Sequence, residues 1–389
     1  MKLNPLTLSV LLAAAPAFAG EPSVEQQLAE LRAKIEALEA QNQAQEQALE
    51  STANAVEQQS SAASAVHIGG YGELHYNRLS GEGGAADKSE VDFHRFVLFF
   101  GYDFTDRIRL VTELELEHAL SSSSAKGEVE LEQAYIEFDV AAEHKLRTGV
   151  MLVPVGFTNE THEPPTFYGV ERNPVENAII PTTWWEAGVA ATGNLMPGLK
   201  YDLMASTGLN TSADKSYAVR GGRQKVSFAS AEAGALTAGL RYTAIPGLEL
   251  GGALQYQQDV TQQQDTTAGD AWLAEAHAAW QLGAFQLKAL AASWQLEGDG
   301  PEAKGADQQQ GWYVEPSYKL TEQWGIFGRY NDWDNKAGNS GDNSGKNQID
   351  AGVNFWPIKQ VVLKADYQWQ DHDDGKNQNG FNFGVGYVF

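Results

Sequence analysis

The sequence predicts an all-β chain: a 16-stranded antiparallel transmembrane β-barrel preceded by an N-terminal α-helical coiled coil. Three observations predict it. From Val66 onward apolar and polar residues alternate with a period of two. The alternating segments are even in number and are joined by tight turns and long loops in strict rotation. Long loops on one rim and tight turns on the other are the layout of a barrel that crosses a bilayer. A soluble sandwich or propeller also alternates, but has no reason to sort its loops this way.

The elements follow in chain order. Lys2 precedes an apolar run over 6–15, and Ala17-Phe18-Ala19 supplies an A-x-A cleavage pattern before Gly20. Residues 1–19 are therefore expected to be a secretory signal peptide, since the run is too short to span a bilayer. In residues 20–59 a heptad places Leu28, Ile35, Asn42, Leu49 and Val56 at a, with Val24, Leu31, Leu38, Gln45 and Thr52 at d. This pattern predicts a coiled coil whose buried Asn42 fixes register at some cost in stability. One amphipathic helix lying on its own protein is the alternative. A Ser/Ala linker, 60–65, leads to the barrel domain, 66–389.

Composition narrows the partners. There is no cysteine, so no disulfide or thiolate chemistry supports the fold. Mean hydropathy is −0.38, and no apolar stretch beyond the signal is long enough for a membrane helix. The net charge of −24 argues against nucleic-acid partners.

In "RIRLVTELELEHAL", Ile108, Leu110, Thr112, Leu114 and Leu116 share one face, while Arg107, Arg109, Glu113, Glu115 and Glu117 share the other. In "VVLKADYQWQ", Val361, Leu363, Ala365, Tyr367 and Trp369 oppose Val362, Lys364, Asp366, Gln368 and Gln370. Such segments fall near 66–77, 92–103, 107–119, 128–140, 145–156, 185–195, 199–209 and 236–245. The second half repeats them near 248–258, 271–281, 285–295, 311–320, 324–333, 347–356, 361–370 and 380–389. Trp272 and Trp280 share one face, and eight residues at ~3.3 Å each, tilted by roughly 40°, set their rings about 20 Å apart across an apolar band. The closing segment, "GFNFGVGYVF", puts Phe381, Phe383, Val385, Tyr387 and Phe389 toward lipid and almost nothing on its other face. It must pair with the first strand, because an open edge cannot persist in lipid.

Two stretches, "VDFHRFVLFFGYDFTDRIRLVTELELEH" and "THEPPTFYGVERNPVENAIIPTTWWEAG", resemble the phosphate-selective porin O and P family, and the resemblance extends over most of 66–389. It implies a trimeric 16-stranded porin of the Gram-negative outer membrane, with the third long loop (157–184) folded into the channel. A coiled coil also precedes related porins, which implies a periplasmic trimer stalk. The phosphate-specific members select with channel arginines and constriction-loop lysines. Here loop 157–184 holds Arg172 against Glu160, Glu163, Glu171 and Glu176, and no lysine. The barrel keeps 24 of the 27 basic and 43 of the 51 acidic residues, a net charge of −19. The phosphate-trapping pattern is not visible in this sequence.

The expected function is therefore a water-filled channel for passive diffusion of small hydrophilic solutes. A preference for phosphate or other small anions is implied by the resemblance alone. The alternative is a structural or adhesive barrel with a periplasmic coiled-coil stalk. Expected partners are outer-membrane lipid, a homotrimer, and small hydrophilic solutes or ions, with no nucleic acid.

Lumenal parity offers Arg107, Arg109, Glu113, Glu115 and Glu117 on the third strand, Arg147 on the fifth, and Arg329 and Lys364 later. The third loop adds Glu160, His162, Glu163, Glu171 and Arg172. The expected arrangement sets an acidic loop against a basic wall, with weak cation preference or none. No cofactor and no metal site are expected: His162 beside Glu163 lacks zinc-ligand spacing. The acidic stretches 332–345 and 371–380 place Asp, Asn and backbone carbonyls closely enough for calcium ligation, but neither has the full twelve-residue loop with its terminal Glu, and solvated loops are the expectation. An enzyme is not expected, since there is no G-x-S-x-G elbow, and His75, His94, His118 and His277 lie on separate strands without a companion Ser.

Overall fold

The computed structural model describes Arg32 and residues 65–122, 125–339 and 343–389. The expected signal peptide, coiled coil and most of the linker lie outside the described residues. Ala65–Phe389 form one compact unit.

The chain runs through β1 (Val66–Gly81), β2 (Lys88–Thr105) and β3 (Ile108–Glu117), then a small hairpin, β4 (Ser121–Ser122) with β5 (Ala125–Lys126). It continues through β6 (Val129–Ala141), β7 (His144–Leu152), β8 (Trp185–Met196), β9 (Leu199–Ser206) and β10 (Ala235–Tyr242). Next come β11 (Leu248–Gln257), β12 (Ala271–Leu282), β13 (Phe285–Leu296) and β14 (Gln308–Lys319). Last are β15 (Trp324–Asp334), β16 (Lys346–Ile358), β17 (Val361–His372) and β18 (Gln378–Val388). Apart from the β4–β5 hairpin, which pairs only with itself, these strands form one closed antiparallel barrel in which chain neighbours pair and β18 returns to β1. All sixteen expected strands are present. The seam runs from Tyr71 opposite Val388 to Gly81 opposite Gln378. Phe389 extends it by exchanging backbone hydrogen bonds with Gly70 at 2.9 and 3.0 Å.

The expected sorting of connections is observed. Turns such as 106–107, 197–198 and 283–284 form one rim, and the longest connections, 153–184 and 207–234 among them, are on the other. Gly198 takes φ +76° in its turn, where a Cβ would also sit 2.6 Å from the Ala244 backbone nitrogen. On the outer face Leu363, Trp369, Phe381 and Phe383 are exposed, as are Trp272 and Trp280.

Two mid-wall bulges interrupt the simple parity. Between Glu73 and His75 the β1–β2 register shifts, so Asp92 as well as Arg95 opposes a lumenal residue. Between Glu113 and Leu114 the β3–β6 register shifts, so Glu130 and Glu132 face inward and so do Tyr135 and Glu137. A bulge re-aims side chains in this way because it inserts one residue without a partner.

The interior departs from the expected wet lumen on one side. Loop 153–184 (L3) and loop 207–234 (L4) fold inward over the wall made by β12–β15. Val155, Val175, Ile179, Ile180 and Trp184 of L3 and Leu209, Tyr217 and Val219 of L4 pack on Leu273, Trp294, Leu296, Tyr313 and Trp333. Apolar area removed from water at about 25 cal/mol per Å² holds the two loops down.

L3 also explains the bare inner face of β18. A Cβ on Gly386 would lie 2.2 Å from Pro164 Cβ, and one on Gly384 would lie 3.1 Å from Val170. Gly386→Val is therefore expected to push the start of L3 off the wall, at the roughly 1–3 kcal/mol typical of overpacking. The thermal midpoint of the folded barrel in detergent should fall; an unchanged midpoint and unchanged channel conductance would refute the contact.

Candidate functional site

A loop inside a barrel must satisfy its own backbone, because little water reaches it. Two L3 side chains do much of this. Asn159 Nδ2 donates to the Val153 and Trp184 carbonyls at 2.7 and 2.8 Å, and its Oδ1 accepts from the Trp184 N–H at 2.8 Å, pinning the loop's two ends together. Glu176 is 0 % exposed. Its Oε1 accepts from the Phe157 and Thr158 backbone N–H groups, both at 2.7 Å. Its Oε2 accepts from Asn173 Nδ2 at 3.0 Å and from the Tyr313 hydroxyl at 2.9 Å. This carboxylate is fully committed and contributes no free charge to the channel.

The far wall grips the middle of L3. Lys364 donates to the Gly169 carbonyl at 2.8 Å, Asp366 accepts from the Val170 N–H at 2.6 Å, and Trp294 donates to the Ile179 carbonyl at 2.9 Å. Lys364 also lies over the Phe167 ring, 3.6 Å from its centre. Arg329 is buried between Glu315 at 3.2 Å and Asp350 at 3.0 Å. The expectation that Arg329 and Lys364 line the pore is corrected accordingly. Lys364 clamps the loop, and Arg329 is enclosed by carboxylates beneath it.

A polar cavity of about 140 Å³ lies against β1–β3 and β6. Its wall is acidic, with Glu73, Glu115, Glu117, Glu130 and Glu132. The opposite side is basic, with Arg172 from L3 and Arg220, Arg223 and Lys225 from L4. The expected polarity is therefore reversed here, since the wall carries most of the acids, with Arg95 among them, and the loops most of the bases, with Glu171 among them. Lys225 pairs with Glu128 and Glu130. The three arginines are different. Arg172 donates to the Thr183 hydroxyl at 2.7 Å, Arg220 to the Asn177 and Thr182 carbonyls at 3.0 and 2.7 Å, and Arg223 to the Thr183 carbonyl. Among the described residues none of the three is in an ion pair, and Arg172 Nη2 and Arg223 Nε have no partner. Burial and the neighbouring Arg223 and Arg172 charges push the Arg220 pKa down to about 9. Burial lowers Arg223 as well. Burial leads both shifts, and for Arg223 the Glu130, Glu117, Glu132 and Glu128 carboxylates pull the other way.

The other expected residues divide by depth. Arg109 and Arg147 lie near the turn rim with Lys145, all three gathered on Glu137 at 2.6 to 2.8 Å. Arg107 sits in the turn itself and donates to the Asp139 carbonyl. Glu160 pairs with Arg241 of β10 at 3.2 Å, and the Glu163 carbonyl accepts from Thr166, closing a short turn. Glu171 is held by His75 at 3.2 Å and Asn77 at 2.9 Å. His162 is buried against Glu113 at 3.4 Å and Glu132 at 3.6 Å, with Nδ1 on the Asn159 carbonyl at 3.0 Å. Lumenal parity had no means of finding Arg220, Arg223 and Lys225. Their signal was the clustering of basic residues in "VRGGRQK", within an otherwise acidic chain.

His162 gives the docking of L3 a pH dependence. Burial opposes its charged form, but the acceptors Glu113 and Glu132 outweigh burial and raise its pKa. A His with a raised folded pKa contributes stability that is complete below its ordinary value of about 6.5 and is lost as pH rises through the folded value. Conductance recorded from about pH 6 to about pH 10 should therefore become noisier toward the alkaline end. The same trend in His162→Gln would refute this assignment.

Comparison with known proteins places this geometry. The family described as phosphate-selective porin O and P matches residues 66–383. A protein of Aquifex aeolicus (strain VF5), whose own name assigns it no function, is 29% identical over 354 residues, covering 83% of this chain and 80% of that one. Among solved structures, the anion-selective porin from Comamonas acidovorans superposes with a TM-score of 0.59 at 12% identity, over 84% of this chain and 99% of that one. The trimer form of OmpT from Vibrio cholerae gives a TM-score of 0.53 at 11% identity, over 83% of this chain and 99% of that one. Those two likenesses speak to the fold.

Proposed function

The chain belongs to the phosphate-selective porin O and P family and is a porin of the Gram-negative outer membrane; from that premise we propose that it passes small hydrophilic solutes by passive diffusion, with small anions such as phosphate favoured at the constriction. The observation that carries this reading is the cluster of Arg172, Arg220 and Arg223, whose guanidinium groups meet only neutral partners. Net charge points the other way, at −19 for the barrel. The local arrangement decides, because many of those carboxylates are already spent. Glu73 is on Arg95, Glu137 on three cations, and Glu130 on Lys225. Selectivity in such channels follows the charges that remain available at the narrowest point.

Zero-current potentials across a planar bilayer in a potassium chloride gradient test this directly. Anion preference is expected, and clear cation preference would overturn it. Family and fold indicate a channel rather than an enzyme. For the remainder of the chain the proposal keeps a cleaved signal over 1–19, a periplasmic coiled coil over 20–59, a linker over 60–65 and the porin domain over 66–389 with its constriction loop, 157–184. A homotrimer is supported by the heptads of 20–59 and by the trimer form of the Vibrio cholerae neighbour.

A further inference from the structure

We propose that Asp92, His94 and His118 form a binding site for a divalent transition-metal cation of the zinc class, at the loop end of the channel. The expectation from sequence was no metal site, argued from His162 beside Glu163, and Asp92, His94 and His118 lie on separate stretches of the chain. Pairing removes that separation. The register that sets Arg95 opposite Glu117 carries on to a backbone hydrogen bond from the His118 N–H to the His94 carbonyl at 3.2 Å. The β1–β2 bulge then brings Asp92 opposite His75, on the lumenal side.

The donor atoms converge. His118 Nδ1 lies 2.8 Å and His94 Nδ1 3.4 Å from the same oxygen, Asp92 Oδ2. One donor atom from each of the three residues falls within 4.8 Å of the others. Zinc bonded to nitrogen and oxygen at about 2.0–2.1 Å in a tetrahedron needs donors roughly 3.3 Å apart, so small side-chain adjustments would suffice. Two imidazoles and one carboxylate leave a fourth position for water, and imidazole selects zinc, copper or nickel over calcium or magnesium. The ring of His94 is also held in place. His75 stacks on it at 4.7 Å and 11°, and His75 is itself fixed by Glu73 and Glu171, each at 3.2 Å.

Access separates this group from two other clusters. Glu113, Glu132 and His162 are sealed beneath L3, with side chains about 2 % exposed. Glu117, Glu128 and Glu130 offer carboxylates alone, and Lys225 already occupies two of them. Asp92, His94 and His118 keep side-chain exposures of 24 %, 37 % and 38 %. Glu117 and Glu171 border the same cavity as His94, and their charges would draw a cation toward it.

The test is a calorimetric titration of the full-length, detergent-folded protein with zinc chloride. One zinc per chain is expected. His94→Ala and His118→Ala should each weaken binding by more than the roughly 10–100-fold that loss of a supporting partner produces. Asp92→Asn, nearly isosteric, should do the same and serves if either alanine variant fails to fold. His67→Ala, whose side chain pairs with Asp103 on the turn side, should leave binding unchanged. Absence of zinc binding in the wild type would overturn the proposal, and so would equal affinity in Asp92→Asn. The readout is independent of solute preference, so failure here would leave the channel reading standing.

Discussion

Replacing Glu176 with alanine is expected to free L3 and raise single-channel conductance. The side chain, itself fully buried, accepts from two backbone N–H groups, from Asn173 and from Tyr313. Removing the acceptor leaves the Phe157 and Thr158 donors without partners in a closed space. At about 1–3 kcal/mol for each orphaned group, the two together cost roughly 2–6 kcal/mol. Each 1.4 kcal/mol is about tenfold in the docked-to-undocked ratio. L3 should therefore leave the wall for a substantial part of the time, in steps visible in single-channel records. Glu176→Gln keeps one acceptor oxygen and should give an intermediate effect. The barrel itself should survive, because the seam and ladders do not involve this residue. A folded Glu176→Ala barrel with wild-type conductance would show that the apolar packing of L3 suffices without its carboxylate.

The second large effect is expected from removing the three arginine charges that form no ion pair among the described residues. Arg172→Gln, Arg220→Gln and Arg223→Gln, combined, keep amide donors near the Thr183, Asn177 and Thr182 acceptors. They delete the guanidinium charge while leaving the loop tethers largely in place. An ion about 4 Å from one such charge gains about 1 kcal/mol even with water-like screening, a factor of roughly five in local concentration. Zero-current potentials should move strongly toward cations as the glutamate wall is left unopposed. The shift should shrink at high salt, where the Debye length falls to about 3 Å. Conductance with little change in loop noise, together with this shift, separates a charge effect from loosening of L3. A potential that does not move would locate the selectivity elsewhere, with the Arg109, Lys145 and Arg147 group near the turn rim as the first place to look.

Much of the fold was legible because a bilayer imposes two simple constraints, alternation along each strand and pairing of every edge. "RIRLVTELELEH" and "VVLKADYQWQ" obey the first, and the match of β18 to β1 obeys the second. The bulges were not legible. Nothing in "VDFHRF" or "LEQAY" announces an unpaired residue, yet those two insertions decide that Asp92, Glu130 and Glu132 face inward. The packed half of the lumen did leave a trace. Leu273, Trp294 and Leu296 hold lumenal parity, where a wet wall would carry polar side chains. Apolar residues on both faces of β12 and β13 announced a cover from inside. The constriction was the least legible part. Sequence counts charges without pairing them, so Arg329 and Lys364 read as free cations while Arg220 and Arg223 passed for ordinary loop residues.

The anchorage of L3 ties assembly to permeability. The loop is held by His75 and Asn77 from the beginning of the barrel, and by Lys364, Asp366 and the bare surface of Gly386 from its end. Those two groups become neighbours only when the last strand zips to the first. Until then the loop lacks one of these two sets and rests on its apolar packing against β12–β15. Closing the seam is thus also the step that completes the hold on the constricting segment.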